Sequence, residues 1–127
     1  KERIYEVLEI VELKDACKKL ASHFSMGMKQ RLGIAIALLG NPELLILDEP
    51  ANGLDPIGIQ KLRELIRSLH EKGITVILSS HILSEVSQIV DHIGIISGGE
   101  LKYQGEINPT ENLETLFMEV VNGVEEQ

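Results

Sequence analysis

Two short apolar runs, Leu44 to Leu47 and Ile74 to Leu78, flank a stretch with helical apolar spacing, and nothing else in the chain limits its fold as much. The first run is continuous rather than alternating, as expected of a strand buried on both faces of a parallel sheet, and the second is read as another buried strand. The first stops at Asp48, Glu49 and Pro50. After Asn52 and Gly53 comes Asp55-Pro56, a helix cap followed by proline at the first helical position. Ile59, Leu62, Leu65, Ile66 and Leu69 then form an apolar stripe, and Gly73 stands where a left-handed stop is needed.

The flanking segments extend the pattern. Ile4, Val7, Leu8 and Val11 recur on one face of a first helix, and a second helical stretch is predicted around Asp15 to Leu20, with Lys18 and Lys19. Ser25 is placed to cap a third. Its wide stripe of Leu32, Ile34, Ala35, Ile36, Leu38 and Leu39 predicts a largely buried helix, closed by Gly40, Asn41 and Pro42. Beyond the second strand, His81 precedes a helix with Leu83, Val86, Ile89 and Val90 on one side. A third strand, Ile93 to Ser97, turns through Gly98-Gly99 into Leu101 to Gln104, a hairpin signal. Leu113, Leu116, Phe117, Val120 and Val121 mark a terminal helix that frays from Gly123. The order is that of an α/β layered domain with a parallel sheet, undivided by any linker or repeat.

Composition narrows the functions. At 127 residues and 43% hydrophobic content, one soluble globular domain is expected and disorder is excluded as the default. The apolar runs fall far short of the roughly 20 residues that span a bilayer. No apolar stretch follows a basic start, so no secretory signal is read, and Cys17 alone forms no internal disulfide, which suits a reducing cytoplasm. With 20 acidic against 12 basic residues, a net charge of -8, 3% aromatic content and no Trp, nucleic acid is not an expected partner. The chain opens with Lys1, Glu2 and Arg3 inside a helical pattern, and the expectation is a fragment.

Three clusters carry chemistry. Asp48 and Glu49 follow a buried strand, and parallel sheets bind ligands at the carboxyl ends of their strands. One acid can hold a hydrated Mg2+ while the other polarises a water; the dipeptide also reads as an acidic turn after a core strand. In FSMGMKQR, residues 24 to 31, Ser25 offers a hydroxyl, Gly27 an approachable N–H, and the helix N-terminus favours negative charge. The plain alternative is capping by Ser25, with Lys29 and Arg31 as solvated charges. His81, after Ser79 and Ser80, is either a donor to a terminal phosphate or a structural histidine.

The segments FSMGMKQRLGIA, LLILDEP, ANGLDP and SSH, in this order, resemble the ATP-binding subunits of ABC transporters. The resemblance covers essentially the whole chain, from just before the signature sequence to the C-terminus of such a subunit, and the S-x-G-M-K-Q-R variant resembles most the bacitracin and lantibiotic type of antibiotic exporter. It implies a partial P-loop NTPase fold: residues 1–42 a helical signature region, residues 43–127 the part from Walker B to the C-terminus, within one domain. It implies Asp48 on Mg2+ through water, Glu49 as the catalytic carboxylate and His81 as the switch histidine. Ser25, Met26, Gly27 and Met28 would face the γ-phosphate of an ATP held by an opposing subunit, with Asn52, Gly53, Leu54 and Asp55 as the D-loop. Implied cofactors are ATP and Mg2+. Implied partners are a second ATP-binding subunit, head to tail, and a transmembrane permease, at the cytoplasmic face of the membrane.

The motifs depart from the family at named positions. Phe24 replaces Leu, Met26 the first Gly and Met28 the Gln of LSGGQ, and Ala51 stands where Ser or Thr is usual. Met26 is expected to reduce backbone freedom, Met28 and Ala51 to remove polar groups. No G-x-x-x-x-G-K-[ST] sequence occurs, so most of the cis nucleotide site is missing and the isolated chain is expected to be inactive. In the family the P-loop strand lies between the second and third strands read here, and that empty slot predicts a swapped or strand-paired oligomer. The main alternative is a non-catalytic module completing another subunit's site. A member acting on DNA or ribosomes is disfavoured by the acidic balance.

Overall fold

The computed structural model describes residues 2–16, 18, 21–107 and 112–123. Cys17, Lys19 and Leu20 lie outside the described residues, as does the tail beyond Gly123. The chain divides into two compact units, Lys1–Ser80 and His81–Gln127.

In the first unit, helix α1 spans Glu2–Ile10, 3-10 turns occupy Lys14–Ala16 and Ala21–His23, and α2 spans Met26–Leu38. Strand β1 (Leu44–Asp48), helix α3 (Pro56–Glu71) and strand β2 (Thr75–Ser79) follow. The helix predicted from Asp15 is a 3-10 turn where it is described. Val7 and Val11 are buried as their spacing requires, but Ile4 is exposed. Glu12 ends α1 in a left-handed conformation, φ 61°, and the Leu13 N–H donates to the Leu8 carbonyl at 2.7 Å, which turns Leu13 into the core. Arg3 joins α1 to the end of α2 by donating to the Leu38 carbonyl at 2.6 Å.

α3 follows from its sequence signals. Asp55 accepts the Gly58 N–H at 2.7 Å, Pro56 opens the helix, and Gly73 sits at φ +87° just past its end. Its buried stripe is Gly58, Leu62, Leu65, Ile66 and Leu69, and it packs on β2. β1 and β2 pair in parallel, Leu44 beside Thr75 through Asp48 beside Ser79.

Two expectations of burial are corrected. Ile34, Ala35 and Leu38 of α2 are buried, but Ile36 is 61% exposed and Leu39 is exposed too, so only one side of that helix enters the core. The β1–β2 ribbon is covered on one face only. Leu45 is buried and Leu47, Val76 and Leu78 are partly so, while Leu44, Ile46, Thr75 and Ile77 of the other face are exposed.

The second unit holds α4 (Leu83–Ile89), β3 (His92–Ser97), β4 (Glu100–Glu106) and α5 (Leu113–Gly123). β3 and β4 form the predicted hairpin, antiparallel, with Gly98 and Gly99 at φ 60° and 78° and a bulge at Ile95/Ile96. Within this unit the two strands make a sheet of their own. Ile93, Ile95 and Leu113 form the core, with Leu83, Val86, Val90, Leu116, Phe117, Val120 and Val121 packed on it. Asn112 caps α5, accepting the N–H groups of Glu114 and Thr115.

Candidate nucleotide and magnesium site

The site is built at the carboxyl end of the parallel ribbon. Asp48 is the last residue of β1 and lies opposite Ser79, the last residue of β2. Register therefore places their side chains on one face. The Ser79 hydroxyl donates to Asp48 Oδ1 at 2.6 Å, and its oxygen accepts the Glu49 N–H at 3.0 Å. The Ser79 carbonyl shares that N–H at 3.2 Å. One serine thus holds both acidic residues by their main-chain or side-chain atoms. Glu49 itself takes a left-handed backbone, φ 49°, which costs a non-glycine residue about 1 kcal/mol or more. The turn it makes is followed by buried Pro50 and by Ala51, 5% exposed. A hydroxyl at position 51 would need a partner inside the protein, so alanine suits this turn.

The carboxylate end was legible from sequence; Ser79 was not. Its role depends on register between strands 31 residues apart, and the only available signal was a hydroxyl at a strand end.

A second element gathers around the first turn of α2. Ser25 accepts the Met28 N–H at 3.2 Å, as its position predicts, and its carbonyl accepts the Lys29 N–H at 2.9 Å. Helix geometry leaves the N–H groups of Met26 and Gly27 without an intrahelical acceptor, at the positive end of a 13-residue helix. The Asn52–Asp55 loop lies against this turn. Leu54 Cδ2 is 3.9 Å from where a Cβ on Gly27 would stand, and Met26 Cγ is 3.7 Å from the equivalent point on Gly53. Ser25, Met26, Gly27, Gly53 and Leu54 are therefore brought together; Asn52 is exposed, and Asp55 is occupied in capping α3.

His81 opens the second unit. With Ile82, Leu83 and Ser84 it lines a cleft of about 440 Å³ whose other residues are Glu114, Phe117 and Met118 of α5.

The donor set suits Mg2+ better than a closed metal cage. Among the described residues no three His, Cys, Asp or Glu side chains converge. Asp48 offers a carboxylate fixed by Ser79, and Mg2+ is commonly bound through one or two carboxylates with waters and phosphates completing its shell.

The chain is similar over most of its length to known proteins. The family model described as "AAA domain, putative AbiEii toxin, Type IV TA system" matches residues 10–87. The bacitracin transport ATP-binding protein BcrA of Bacillus licheniformis is 66% identical over 102 residues, 80% of this chain and 33% of that protein. The lantibiotic transport ATP-binding protein SrtF of Streptococcus pyogenes is 54% identical over 114 residues, 90% of this chain and 50% of that protein. A solved ATP-binding subunit of an ABC transporter superposes with a TM-score of 0.76 at 32% identity, over 95% of this chain and 56% of that one. The ATP-binding cassette MJ1267 in its ADP conformation gives 0.79 at 25% identity, over 98% and 45%. The chain spans a third to a half of the length of these curated relatives.

Proposed function

The chain belongs to the ABC transporter ATP-binding proteins, and from that premise we propose that it is the C-terminal part of one ABC ATPase domain, in a subunit that hydrolyses ATP to power export of a peptide antibiotic or similar compound. The observation that carries this is the pair Asp48 and Glu49 at the end of a parallel strand, both fixed by Ser79.

Asp48 would hold Mg2+ through its hydration shell. When bound, the ion would supply neutralisation of phosphate charge. Glu49 orients and deprotonates the attacking water, its direction set by the left-handed turn. His81 donates to the terminal phosphate. Ser25 and the Met26 and Gly27 N–H groups receive the γ-phosphate of an ATP bound by an opposing subunit, beside the Asn52–Asp55 loop. Phosphoryl transfer depends mainly on positioning, so a site divided between two subunits makes hydrolysis conditional on their closure. Among the described residues no helix is long and apolar enough to cross a membrane. In this reading a permease subunit supplies the membrane passage and holds the ATPase at the cytoplasmic face.

The isolated 127-residue chain, without a G-x-x-x-x-G-K-[ST] sequence, is inactive and is completed either by the rest of its subunit or by strand pairing with another copy. The exposed apolar face of the β1–β2 ribbon supports this.

The test is Mg2+-dependent ATP turnover by the intact subunit with its permease. Glu49→Gln should lower kcat by about 10² to 10⁴. A variant as fast as the parent overturns the assignment. Turnover by the isolated chain that disappears in Glu49→Gln overturns its inactivity.

A further inference from the structure

The first turn of α2 and the Asn52–Asp55 loop hold each other in both directions. From the loop, Leu54 is half-buried with Cδ2 3.9 Å from the Cβ position of Gly27 and 3.6 Å from that of Gly58. Two glycines on two different helices form the seat of one leucine. From the helix, Met26 lies over Gly53, its Cγ and Cε at 3.7 and 3.8 Å from the Cβ position there. Gly53 is at φ +81°, so the loop's path at that residue requires glycine, and glycine leaves a surface that a neighbouring side chain can cover. The loop is anchored again at its end, where Asp55 caps α3.

Met26 is 54% exposed and is the first residue of α2, in ordinary helical backbone. At that place methionine restricts the backbone more than the glycine usual in the family would. What methionine adds over glycine here is a side chain that reaches the loop.

We propose that Met26 and Leu54 are positioning residues that lock the first turn of α2 and the Asn52–Asp55 loop into one surface, so that both meet a nucleotide together. The functional half of this statement rests on the ATPase reading above; the mechanical half does not. The Met26 main-chain N–H faces the phosphate in that reading, but the role proposed here belongs to the two side chains, which pack on each other's segments and not on the nucleotide. Each acts through the placement of Ser25 and Gly27, and a misplacement of about 1 Å costs rate heavily in a reaction driven by positioning.

Two measurements decide it. In the 127-residue chain, hydrogen exchange reads the amides of Met28 and Lys29, bonded to Ser25, and those of Asn52 and Leu54, bonded to the Glu49 and Ala51 carbonyls. Met26→Ala and Leu54→Ala should each raise exchange in both segments, about fivefold or more, with the Leu62 and Leu69 amides of α3 unchanged. Because Met26 is half exposed, its variant tests the lock without threatening the core. If Met26→Ala leaves the loop amides at parent rates, the lock is overturned. In the intact subunit, Leu54→Ala and Met26→Ala should lower kcat about fivefold or more with KM within about twofold, and Met26→Leu should restore it. An active parent whose variants keep full kcat overturns the positioning role. A parent with no ATP turnover overturns the proposed function instead, and hydrogen exchange still decides the lock.

Discussion

The two ribbons of this molecule are each two strands wide and each covered on one side, yet their open sides differ in kind. On β3–β4 the open face runs His92 beside Glu106, Gly94 beside Gln104, and Ile96 beside Leu101 near the turn. Leu101 folds over Gly94, its Cδ1 3.2 Å from the glycine's Cβ position. That is the mixed face an antiparallel hairpin can show to water. On β1–β2 the open face carries Leu44, Ile46 and Ile77 and then, at the carboxyl end, Asp48 and Ser79. Parallel strands are rarely left open, and this one presents its apolar middle and its chemistry on the same side. The hairpin is finished as it stands; the parallel ribbon is suited to a cover.

The sharpest way to break that contrast is to compare a residue under the covered face with one on the open face. Leu69→Ala, at 0% exposure, should cost about 2 to 5 kcal/mol in urea unfolding of the isolated chain. Ile46→Thr, at 69% exposure, should cost no more than about 0.5 kcal/mol at low protein concentration. A large, concentration-dependent cost at Ile46 would show the face already covered by a second copy, and light scattering would show the dimer.

The helix caps give a smaller test. Asp55→Ala removes the acceptor for Gly58 N–H in the first unit, and Asn112→Ala removes the acceptor for two N–H groups in the second. Each should cost about 1 kcal/mol, and each should raise hydrogen exchange chiefly in its own unit. Equal effects in both units would mean that the two ribbons unfold together.

The smallest effect lies at the hairpin's edge. Lys102 donates to Glu100 at 2.8 Å and holds that carboxyl below its usual range. A carboxyl depressed in the folded state contributes stability above its unfolded pKa and loses it as pH falls through the folded value. Lys102→Ala should move the Glu100 titration upward in NMR and flatten only the acid limb of the stability curve. No change at Glu100 would show that the pair is not formed in solution.

Local signals were legible in the sequence. Ser25, Asp55-Pro56, Gly73 and Gly98-Gly99 mark their caps, stop and turn because each acts within a few residues of itself. The stop at Glu12 was missed because a glutamate is in the left-handed conformation that glycine usually advertises. Burial was the less legible half. The run Leu44 to Leu47 records the environment that suits the strand, which is cover on both sides, and the structure supplies one. The carboxylates of the site could be read from the strand that carries them, whereas Ser79 and Leu54 act across distances that only register and packing create.

Ser79 has a consequence for how this site is dissected. Its oxygen is partner to Asp48 on one side and to the Glu49 N–H on the other, and the strained turn at Glu49 hangs from it. Substitutions at positions 48, 49 and 79 therefore share a reference state, and their free energies will not add. A single change at Asp48 also releases the hydroxyl that steadies Glu49. Ranking the two acids by their separate knockouts would credit each with part of the other; only a thermodynamic cycle that includes Ser79 separates them.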